Sequence, residues 1–550
     1  MYKQYNISEY LNKSADSFSD KNAIFFRDKS ITFNELNRLS DYYALELKKY
    51  GLKKGSGILL MLRPGIEFVA VVFGIFKAGA LPVLIDPGMG RKNMLNCIKK
   101  TQPQALIGIP LAHFVRYISP SSFNSIETYF SVGKPFPGTK LLMNAHDFFD
   151  EYSNKMIRCD IEQCEYSDPA AIVFTTGSTG PPKGVVYTHG IYIKQMELIS
   201  EVYNAGPDMF DMPAFPLFAL FSAAMGMPCV IPDMNPSLPA QVDPNIIINT
   251  IKKYNVSFSF ASPALWLKVC SFCKKNEITL PSLKKILMAG APVSPQLHEL
   301  ILSIAPNAET MVPYGATEAL PAANMTGGEL TDTIAEKMKN GQGYCVGKPI
   351  NSISIYIIKP EETELKEWND VTLLPTGETG EIVIEGDIVT PEYFNLPEIT
   401  ALSKIRKGKK ILHRMGDMGY FDESGYLWFK GRKTHRVFTS NGILYPVCCE
   451  SIFNQHPQVR RSALIGIGEC NNQVPVIIIE PEDGFLPSKN SERKKFISEL
   501  MEFAGKYEFT SEIKKILFYT PFPVDIRHNA KIFREKLKVW AMKYKKYIEE

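Results

Sequence analysis

The segment with the strongest chemical signal is a ten-residue loop rich in glycine and hydroxyl groups. It follows the apolar run 170–174 and reads Thr175-Thr176-Gly177-Ser178-Thr179-Gly180-Pro181-Pro182-Lys183-Gly184. Glycines allow left-handed turns that aim backbone N–H groups at one centre, and hydroxyls and a lysine add donors for an anion. The composition therefore predicts a phosphate-binding loop after a buried strand. It is not a Walker A loop, because Gly184 follows Lys183 where that motif has a Mg²⁺-binding Ser or Thr.

Five further short motifs follow this loop along the chain. In order they are Ala289-Gly290-Ala291-Pro292, Tyr314-Gly315-Ala316-Thr317-Glu318, Arg414-Met415-Gly416-Asp417, Gly431-Arg432 and Arg527-His528-Asn529-Ala530-Lys531-Ile532. Together the six segments resemble the motifs of the adenylate-forming superfamily of acyl-CoA synthetases, peptide-synthetase adenylation domains and luciferases. The resemblance covers nearly the whole length of the chain.

The resemblance implies a site for ATP and Mg²⁺ and a role for each matching residue. Thr175 to Gly180, Gly290 to Pro292, Tyr314, Gly315 and Thr317 would bind the nucleotide, with Asp417 and Arg432 on the ribose. Glu318 would help to hold Mg²⁺, and Lys183, Thr317, Glu318 and Lys531 would be catalytic. The chemistry agrees, because attack of a carboxylate on the α-phosphate joins two anions and needs positive charge where negative charge develops.

The apolar pattern around these motifs predicts an α/β fold with parallel sheets covered by helices. We expect a strand over 58–62, a helix over 66–77 and a strand over 81–85. We expect one large N-terminal domain over residues 1–432, with a smaller β-rich subdomain from about 340 to 432. Residues 433–550 predict a mobile α+β lid with a final helix over 531–550. The resemblance places the hinge of that lid at Lys433 and Thr434. It implies that the lid turns there after adenylation, so that each of its two poses serves one half-reaction.

Composition excludes several classes of protein. The 550 residues are 45% hydrophobic and 22% charged, which is typical of a globular enzyme, and the formal net charge of +4 is too small to predict a nucleic-acid partner. The first twenty residues contain charges and no apolar run, so we predict a cytoplasmic protein without a signal peptide. The uncharged stretch 212–232 is interrupted by four prolines and predicts a pocket wall instead of a transmembrane helix.

That stretch predicts the substrate class. Its aromatic side chains and Ala219 predict an apolar pocket wall formed by Phe215, Phe218, Ala219 and Phe221. Many acyl-CoA synthetases have a histidine at the position of Ala219. No carboxylate is evident there to receive an ammonium group, so an aliphatic acid, a medium- or long-chain fatty acid, is favoured. Past the hinge, Phe438 replaces the common lysine and Gly442 comes one residue late, which makes CoA doubtful as a cofactor.

These departures resemble one branch of the superfamily, the β-lactone synthetases of bacterial olefin biosynthesis, whose members are often labelled fatty-acid CoA ligases. The resemblance implies activation of a 3-hydroxy fatty acid as acyl-AMP, followed by attack of its own hydroxyl to close a β-lactone. His435 is a candidate base for that step, with a structural histidine as the alternative. A fatty acid–CoA ligase and a non-catalytic nucleotide-binding scaffold remain alternatives. Fatty acid and ATP are the expected partners, and other enzymes of the pathway stay open.

Overall fold

A computed structural model gives the structure of residues 4–153, 155–175, 180–487, 489–525 and 531–544. The chain divides into two compact units. Unit 1 contains Met1–Met311, Gly315–Pro321 and Gly386–Lys404, and unit 2 contains Val312–Tyr314, Ala322–Glu385 and Ile405–Glu550.

Unit 1 has the alternating strands and helices that the sequence predicts. Its helices are α1 (Ser8–Ser17), α2 (Phe33–Lys49), α3 (Ile66–Lys77), α4 (Arg91–Thr101), α5 (Pro110–Ile118), α6 (Ala145–Tyr152), α7 (His189–Tyr203), α8 (Phe218–Ala224), α9 (Pro244–Tyr254), α10 (Pro263–Lys275) and α11 (Pro295–Ile304). Its strands are β1 (Asn22–Phe26), β2 (Lys29–Thr32), β3 (Gly57–Met61), β4 (Leu81–Leu84), β5 (Ala105–Gly108), β6 (Thr128–Val132), β7 (Lys140–Leu142), β8 (Pro169–Thr175), β9 (Lys183–Thr188), β10 (Asp211–Pro213), β11 (Cys229–Ile231), β12 (Phe258–Ala261) and β13 (Lys285–Met288).

Two sheets organise unit 1. One runs β7-β6-β5-β3-β4-β8-β9 and is parallel except for the β8–β9 pair. The other includes the run β13-β12-β10-β11-β1-β2, in which β1 and β2 are antiparallel. Strand β3 and helix α3 are buried along almost their whole length, which explains their continuous apolar runs. The helix-covered parallel sheets confirm the predicted fold class.

Unit 2 contains the β-rich part of the chain and the C-terminal segment. Strands β14 (Glu309–Ala316) and β15 (Ala319–Thr326) have residues in both units. The remaining helices are α12 (Asp332–Lys339), α13 (Pro397–Ser403, in unit 1), α14 (Pro446–Phe453), α15 (Asn490–Gly505), α16 (Glu508–Ser511) and α17 (Arg534–Ala541). The remaining strands are β16 (Tyr344–Cys345), β17 (Lys348–Pro349), β18 (Ser354–Ile358), β19 (Gly380–Glu385), β20 (Lys404–Lys407), β21 (Lys410–Phe421), β22 (Leu427–Arg432), β23 (Val437–Thr439), β24 (Gly442–Leu444), β25 (Val459–Glu469), β26 (Asn472–Pro481) and β27 (Lys515–Phe518).

The sheets of unit 2 are short and mostly antiparallel. Strands β16-β22-β21-β19-β18 form one sheet, and β25-β26-β27 form another in which only β26 and β27 are parallel. The structure thus places the β-rich part and the C-terminal segment in one compact unit. The domain boundary near residue 433 stays a prediction.

The final helix differs from the sequence expectation of 531–550. It begins at Arg534, and the residues before it are extended, because Ile532 forms a β-bridge with Val524. Lys531 and Ile532 therefore precede the helix. Residues 545–550 lie outside the described residues.

Candidate active site

The phosphate loop lies in the connection between the antiparallel strands β8 and β9. Thr175 pairs with Lys183 across this hairpin, so the two ends of the loop are held together by the ladder. Gly180 is exposed, and the ammonium of Lys183 lies 5.0 Å from the centre of the Tyr393 ring. Thr176, Gly177, Ser178 and Thr179 lie outside the described residues.

Glu318 follows β14 and is held at its carboxylate and at its backbone. The Tyr393 hydroxyl donates to Glu318 Oε1 at 2.7 Å, and the Thr390 amide and hydroxyl both donate to the Glu318 carbonyl oxygen, at 2.9 and 3.1 Å. Next to it, the Tyr187 hydroxyl donates to the Thr317 carbonyl oxygen at 2.6 Å. These bonds orient the Glu318 carboxylate before any ligand binds.

Gly315 permits a close approach within the same turn. A Cβ atom at this position would clash with the carbonyl oxygen of Ala319. The glycine of the Tyr-Gly-x-Thr-Glu motif is therefore required by the tight path of the backbone.

Lys404 lies in the same neighbourhood and was not predicted from the sequence. It is buried, and its ammonium donates to the Thr390 hydroxyl at 3.2 Å. Burial lowers the pKa of Lys404 to about 7, and the negative charge of Glu318 opposes that shift. Nothing in the local sequence distinguishes this lysine from exposed ones, since its burial is set by tertiary packing.

Asp417 and Tyr314 meet in unit 2. The Tyr314 hydroxyl donates to Asp417 Oδ2 at 2.8 Å, and Arg432 Nη1 lies 3.0 Å from Asp417 Oδ1. The register of β21 and β22 sets this contact, because Asp417 and Arg432 are cross-strand partners. Arg432 Nη1 also donates to the carbonyl oxygen of Met415 at 3.0 Å. A nearly buried carboxylate fixed by two donors is a suitable acceptor for a vicinal diol.

Arg414, the arginine of the Arg-x-Gly-Asp motif, has a structural role. Arg414 is buried, and its Nη2 lies 2.7 Å from Glu381 Oε2. It also donates to the carbonyl oxygen of Thr363 at 2.8 Å. Arg414 thus ties β21 to β19 and supports the strand that carries Asp417.

The candidate nucleotide-binding turn, Gly290 to Pro292, connects β13 to α11. Gly290 has a φ of 92°, a left-handed conformation that favours glycine. Gly290 and Pro292 are exposed and Ala291 is partly exposed. Ser294 caps the helix that follows by accepting from the Leu297 amide, which fixes the end of the turn.

The predicted hinge residues and the neighbouring His435 make contacts within unit 2. Lys433 donates to the carbonyl oxygen of Glu361 at 2.7 Å, and Thr434 is exposed. His435 Nε2 lies 3.0 Å from Glu535 Oε1, and burial together with the charge of Arg534 lowers the pKa of His435 to about 4. Such a low pKa makes His435 a weak base, so the contact with Glu535 favours the structural alternative for this histidine.

Lys531 lies just before helix α17, where the helix is anchored by a buried ion pair. Its carbonyl oxygen accepts from the Asp525 amide at 2.9 Å. Arg534 donates to both oxygens of Glu450, at 2.8 Å and 2.7 Å. This bidentate pair fixes the start of helix α17, three residues after Lys531.

The aromatic wall predicted from 212–232 surrounds helix α8. Ala219 is fully buried, and the Phe218 ring stacks on Phe260 at 3.8 Å between centroids. Phe215 and Phe221 lie 6.1 and 5.8 Å from the Phe218 ring. The helix is tied to β10 by Ser222, whose hydroxyl donates to the buried Asp211 at 2.6 Å. Asp211 directly precedes the uncharged stretch.

The donor groups fit ATP and Mg²⁺ in their chemistry. One oriented carboxylate, Glu318, suits a cation that completes its shell with phosphate oxygens and water. Among the described residues no cluster of three or more His, Cys, Asp or Glu is placed to hold a metal. Asp417 fits the ribose hydroxyls as an ionised acceptor, and Tyr314 adds an aromatic surface beside it.

Comparison with known proteins decides the family. The sequence model described as AMP-binding enzyme matches residues 11–394. The chain belongs to the AMP-binding enzyme family. It is 39% identical over 520 residues to an olefin β-lactone synthetase of Xanthomonas campestris pv. campestris, covering 94% of this chain and 91% of that relative. It is also 39% identical to an olefin β-lactone synthetase of Stenotrophomonas maltophilia, covering 94% and 92%.

A solved structure has the same fold. It is the anthranilate CoA ligase in complex with anthranoyl-AMP, with a TM-score of 0.80 at 19% identity, covering 99% of this chain and 98% of that one. The predicted membership of the adenylate-forming superfamily and the predicted AMP-forming ligase are confirmed. The roles assigned to single residues stay predictions.

Proposed function

We propose that this protein is an ATP-dependent β-lactone synthetase acting on a 3-hydroxy fatty acid of medium or long chain. The observation that carries the proposal is the 39% identity, over 94% of the chain, to two relatives named olefin β-lactone synthetases. The apolar wall around α8 supports an aliphatic acyl group, because its aromatic rings offer no partner for a charged substituent.

The first half-reaction joins the substrate carboxylate to the α-phosphate and releases pyrophosphate. In this proposal Asp417 accepts from the ribose hydroxyls, and the phosphate loop with Lys183 binds the phosphates. Lys531 neutralises charge at the α-phosphate as the new P–O bond forms. Mg²⁺, held in part by Glu318, would supply further positive charge on the phosphates.

The second half-reaction closes the ring. The β-hydroxyl oxygen attacks the acyl carbon, AMP leaves with the electrons of the acyl–phosphate bond, and the hydroxyl proton passes to solvent or to a base. Intramolecular attack needs no thiol, because the nucleophile is already held next to the carbon that it attacks. Phe438 replaces the lysine that is common at this position. It lies in strand β23, and the guanidinium of Arg436 lies over its ring. This replacement is compatible with a loop that does not bind a thiol.

One experiment separates the two products. The protein is incubated with a 3-hydroxy fatty acid, ATP and Mg²⁺ with and without CoA. We expect AMP and a β-lactone in the absence of CoA. Turnover that depends strictly on CoA, with an acyl thioester as product, would establish the fatty acid–CoA ligase instead.

A second experiment tests the chemistry itself. Exchange of labelled pyrophosphate into ATP should depend on the acid and be lost in Lys531→Ala, while the Lys489→Ala variant, at an exposed lysine, should keep it. Absence of exchange with every acid tried would support a non-catalytic scaffold. The cytoplasmic location stays a prediction; no helix of the described residues is both long and apolar enough to cross a bilayer.

A further inference from the structure

Helix α5 presents an apolar face to solvent in unit 1. Four large side chains on this nine-residue helix are more than half exposed, and they recur at the spacing of one helix face. Among the other exposed large hydrophobic residues of the described chain, Val539, Met542 and Tyr544 form a group at the end of the last helix, where only Val539 is more than half exposed, and the rest lie singly or in pairs. We call these four side chains the α5 patch: Leu111, Phe114, Tyr117 and Ile118.

The opposite side of α5 is firmly packed, so the patch is rigidly presented. His113 is buried, its Nε2 lies 3.0 Å from the carbonyl oxygen of Phe130, and its ring stacks on Phe136. Arg116 donates to the carbonyl oxygen of Pro137 at 2.7 Å and lies over the Tyr129 ring. The helix is therefore fixed to strand β6 and to the segment that follows it, and the exposed side chains are not an effect of local unfolding.

The stretch of sequence that contains α4 and α5 carries charge of one sign. No acidic residue occurs between Asp86 and Glu127, a span that contains five basic residues. Four of the five are on helix α4, where all four are exposed, and α4 packs against the turn Pro120–Ser122 that directly follows α5. Lys134 and Lys140, beyond Glu127, are also exposed. The five basic residues of the span are Arg91, Lys92, Lys99, Lys100 and Arg116.

We propose that the α5 patch and the basic helix α4 form a docking surface for a membrane whose lipids carry negative charge. Protruding aromatic and aliphatic side chains with cations beside them are the combination that binds the interface of an anionic bilayer. An uncharged protein partner would need the apolar side chains but would gain nothing from the cations, and a second copy of this chain would place the same positive charges opposite each other. A fatty-acid substrate would partition into the same bilayer. This link between docking and catalysis rests on the proposed function, whereas the docking surface itself is argued independently of it.

The test uses the full chain and vesicles of defined composition. Co-sedimentation is measured with vesicles of phosphatidylcholine mixed with phosphatidylglycerol and with vesicles of phosphatidylcholine alone. We expect binding to the anionic vesicles to be at least about tenfold stronger, and to weaken in roughly 0.5 M salt. The double variant Phe114→Glu/Ile118→Glu should lose about tenfold or more of that binding. The control is Leu267→Glu, which changes a side chain of similar exposure on α10.

A second variant keeps the test independent of the folding of the first. Lys99→Glu/Lys100→Glu leaves the apolar face intact and should remove the preference for phosphatidylglycerol. Pyrophosphate exchange with a 3-hydroxy fatty acid of medium chain length in the absence of vesicles should be unchanged in both double variants, because neither α5 nor α4 carries a predicted catalytic or nucleotide-binding residue. Equal binding of wild type and both double variants to anionic vesicles, or no binding by wild type, would overturn the proposal. A dimer in solution that dissociates in Phe114→Glu/Ile118→Glu, without vesicle binding, would make this face an interface between copies.

Discussion

At the scale of single residues, we expect the contact of Asp417 with Tyr314 and Arg432 to determine how well the chain binds a ribose. Replacing Asp417 by Asn keeps the size of the side chain but removes its charge and gives Arg432 a donor as neighbour. We expect the KM for ATP to rise about 10- to 100-fold, because a charge-assisted hydrogen bond that contributes about 1.5–3 kcal/mol to binding is lost. Steady-state kinetics would measure this. Asp332→Asn, on the exposed first turn of α12, should leave the KM unchanged, and an unaltered KM in Asp417→Asn would remove the ribose role.

A second residue-scale prediction concerns pH. Burial raises the pKa of Asp211 to about 7, although the Ser222 hydroxyl opposes the shift. Between pH 3.8 and pH 7 the Asp211 carboxyl therefore keeps its proton in the folded state and has lost it in the unfolded state. The contribution of Asp211 to stability is complete below pH 3.8 and is lost as the pH rises through 7. Compared with Asp211→Asn, the wild type should lose about 2–3 kcal/mol of unfolding free energy between pH 5 and pH 8.

The measurement is denaturant unfolding of both proteins across that pH range. Asp208 is near Asp211 in the chain but is exposed. The unfolding free energy of Asp208→Asn should therefore equal that of the wild type at every pH. A constant difference between wild type and Asp211→Asn would show that the carboxyl is ionised throughout and contradict the prediction.

At the scale of elements, the anchoring of α17 by the Arg534–Glu450 pair should control Lys531. Arg534→Met leaves Glu450 buried without its cation, and we expect a loss of about 3–5 kcal/mol in stability. Adding Glu450→Gln removes the uncompensated charge and should restore most of that stability. Pyrophosphate exchange should stay roughly 10- to 100-fold low in both variants, because the start of α17, three residues after Lys531, has lost its anchor.

The double variant Arg534→Met/Glu450→Gln separates an effect on Lys531 from an effect on stability. Recovery of exchange together with stability would mean that the pair acts on folding alone. Arg460→Met, which breaks a surface ion pair with Asp483, should change neither quantity measurably.

Local patterns along the chain predicted most elements of the fold but fewer of the contacts in the site. Helix α3 has the predicted bounds, and strands β3 and β4 shift by one residue at their ends. These elements carry their own apolar pattern. Tyr393 and Lys404 were not predicted, although they lie on either side of Glu318, because their positions depend on segments that are distant in sequence. The extended residues before α17 were mistaken for helix, since a β-bridge to Val524 overrides their helical composition.

At the scale of the whole molecule, the predicted two-pose mechanism requires the C-terminal segment to leave the β-rich part of unit 2. Lys433 and Arg436, at the predicted hinge, donate to Glu361 and Glu362 of the β-rich part. Two further hydrogen bonds lie farther along the chain: the Tyr507 hydroxyl donates to Asn340 Oδ1 at 2.9 Å, and Gln455 Nε2 donates to the carbonyl oxygen of Lys339 at 2.8 Å. If residues 433–550 turn about Lys433 and Thr434, both bonds break. They therefore stabilise one pose relative to the other, by about 1 kcal/mol each.

Removing both bonds in Tyr507→Phe/Gln455→Ala should shift the balance of poses by up to roughly 30-fold. Because each pose serves one half-reaction, we expect pyrophosphate exchange and AMP release to change in opposite directions. Both rates are measured on the same preparation, with Tyr519→Phe as the control, since its ring packs on Trp540 within the C-terminal segment. A parallel fall of both rates would mean that one pose performs both half-reactions, and ring closure would then follow adenylation without rotation of the lid, as an internal nucleophile permits.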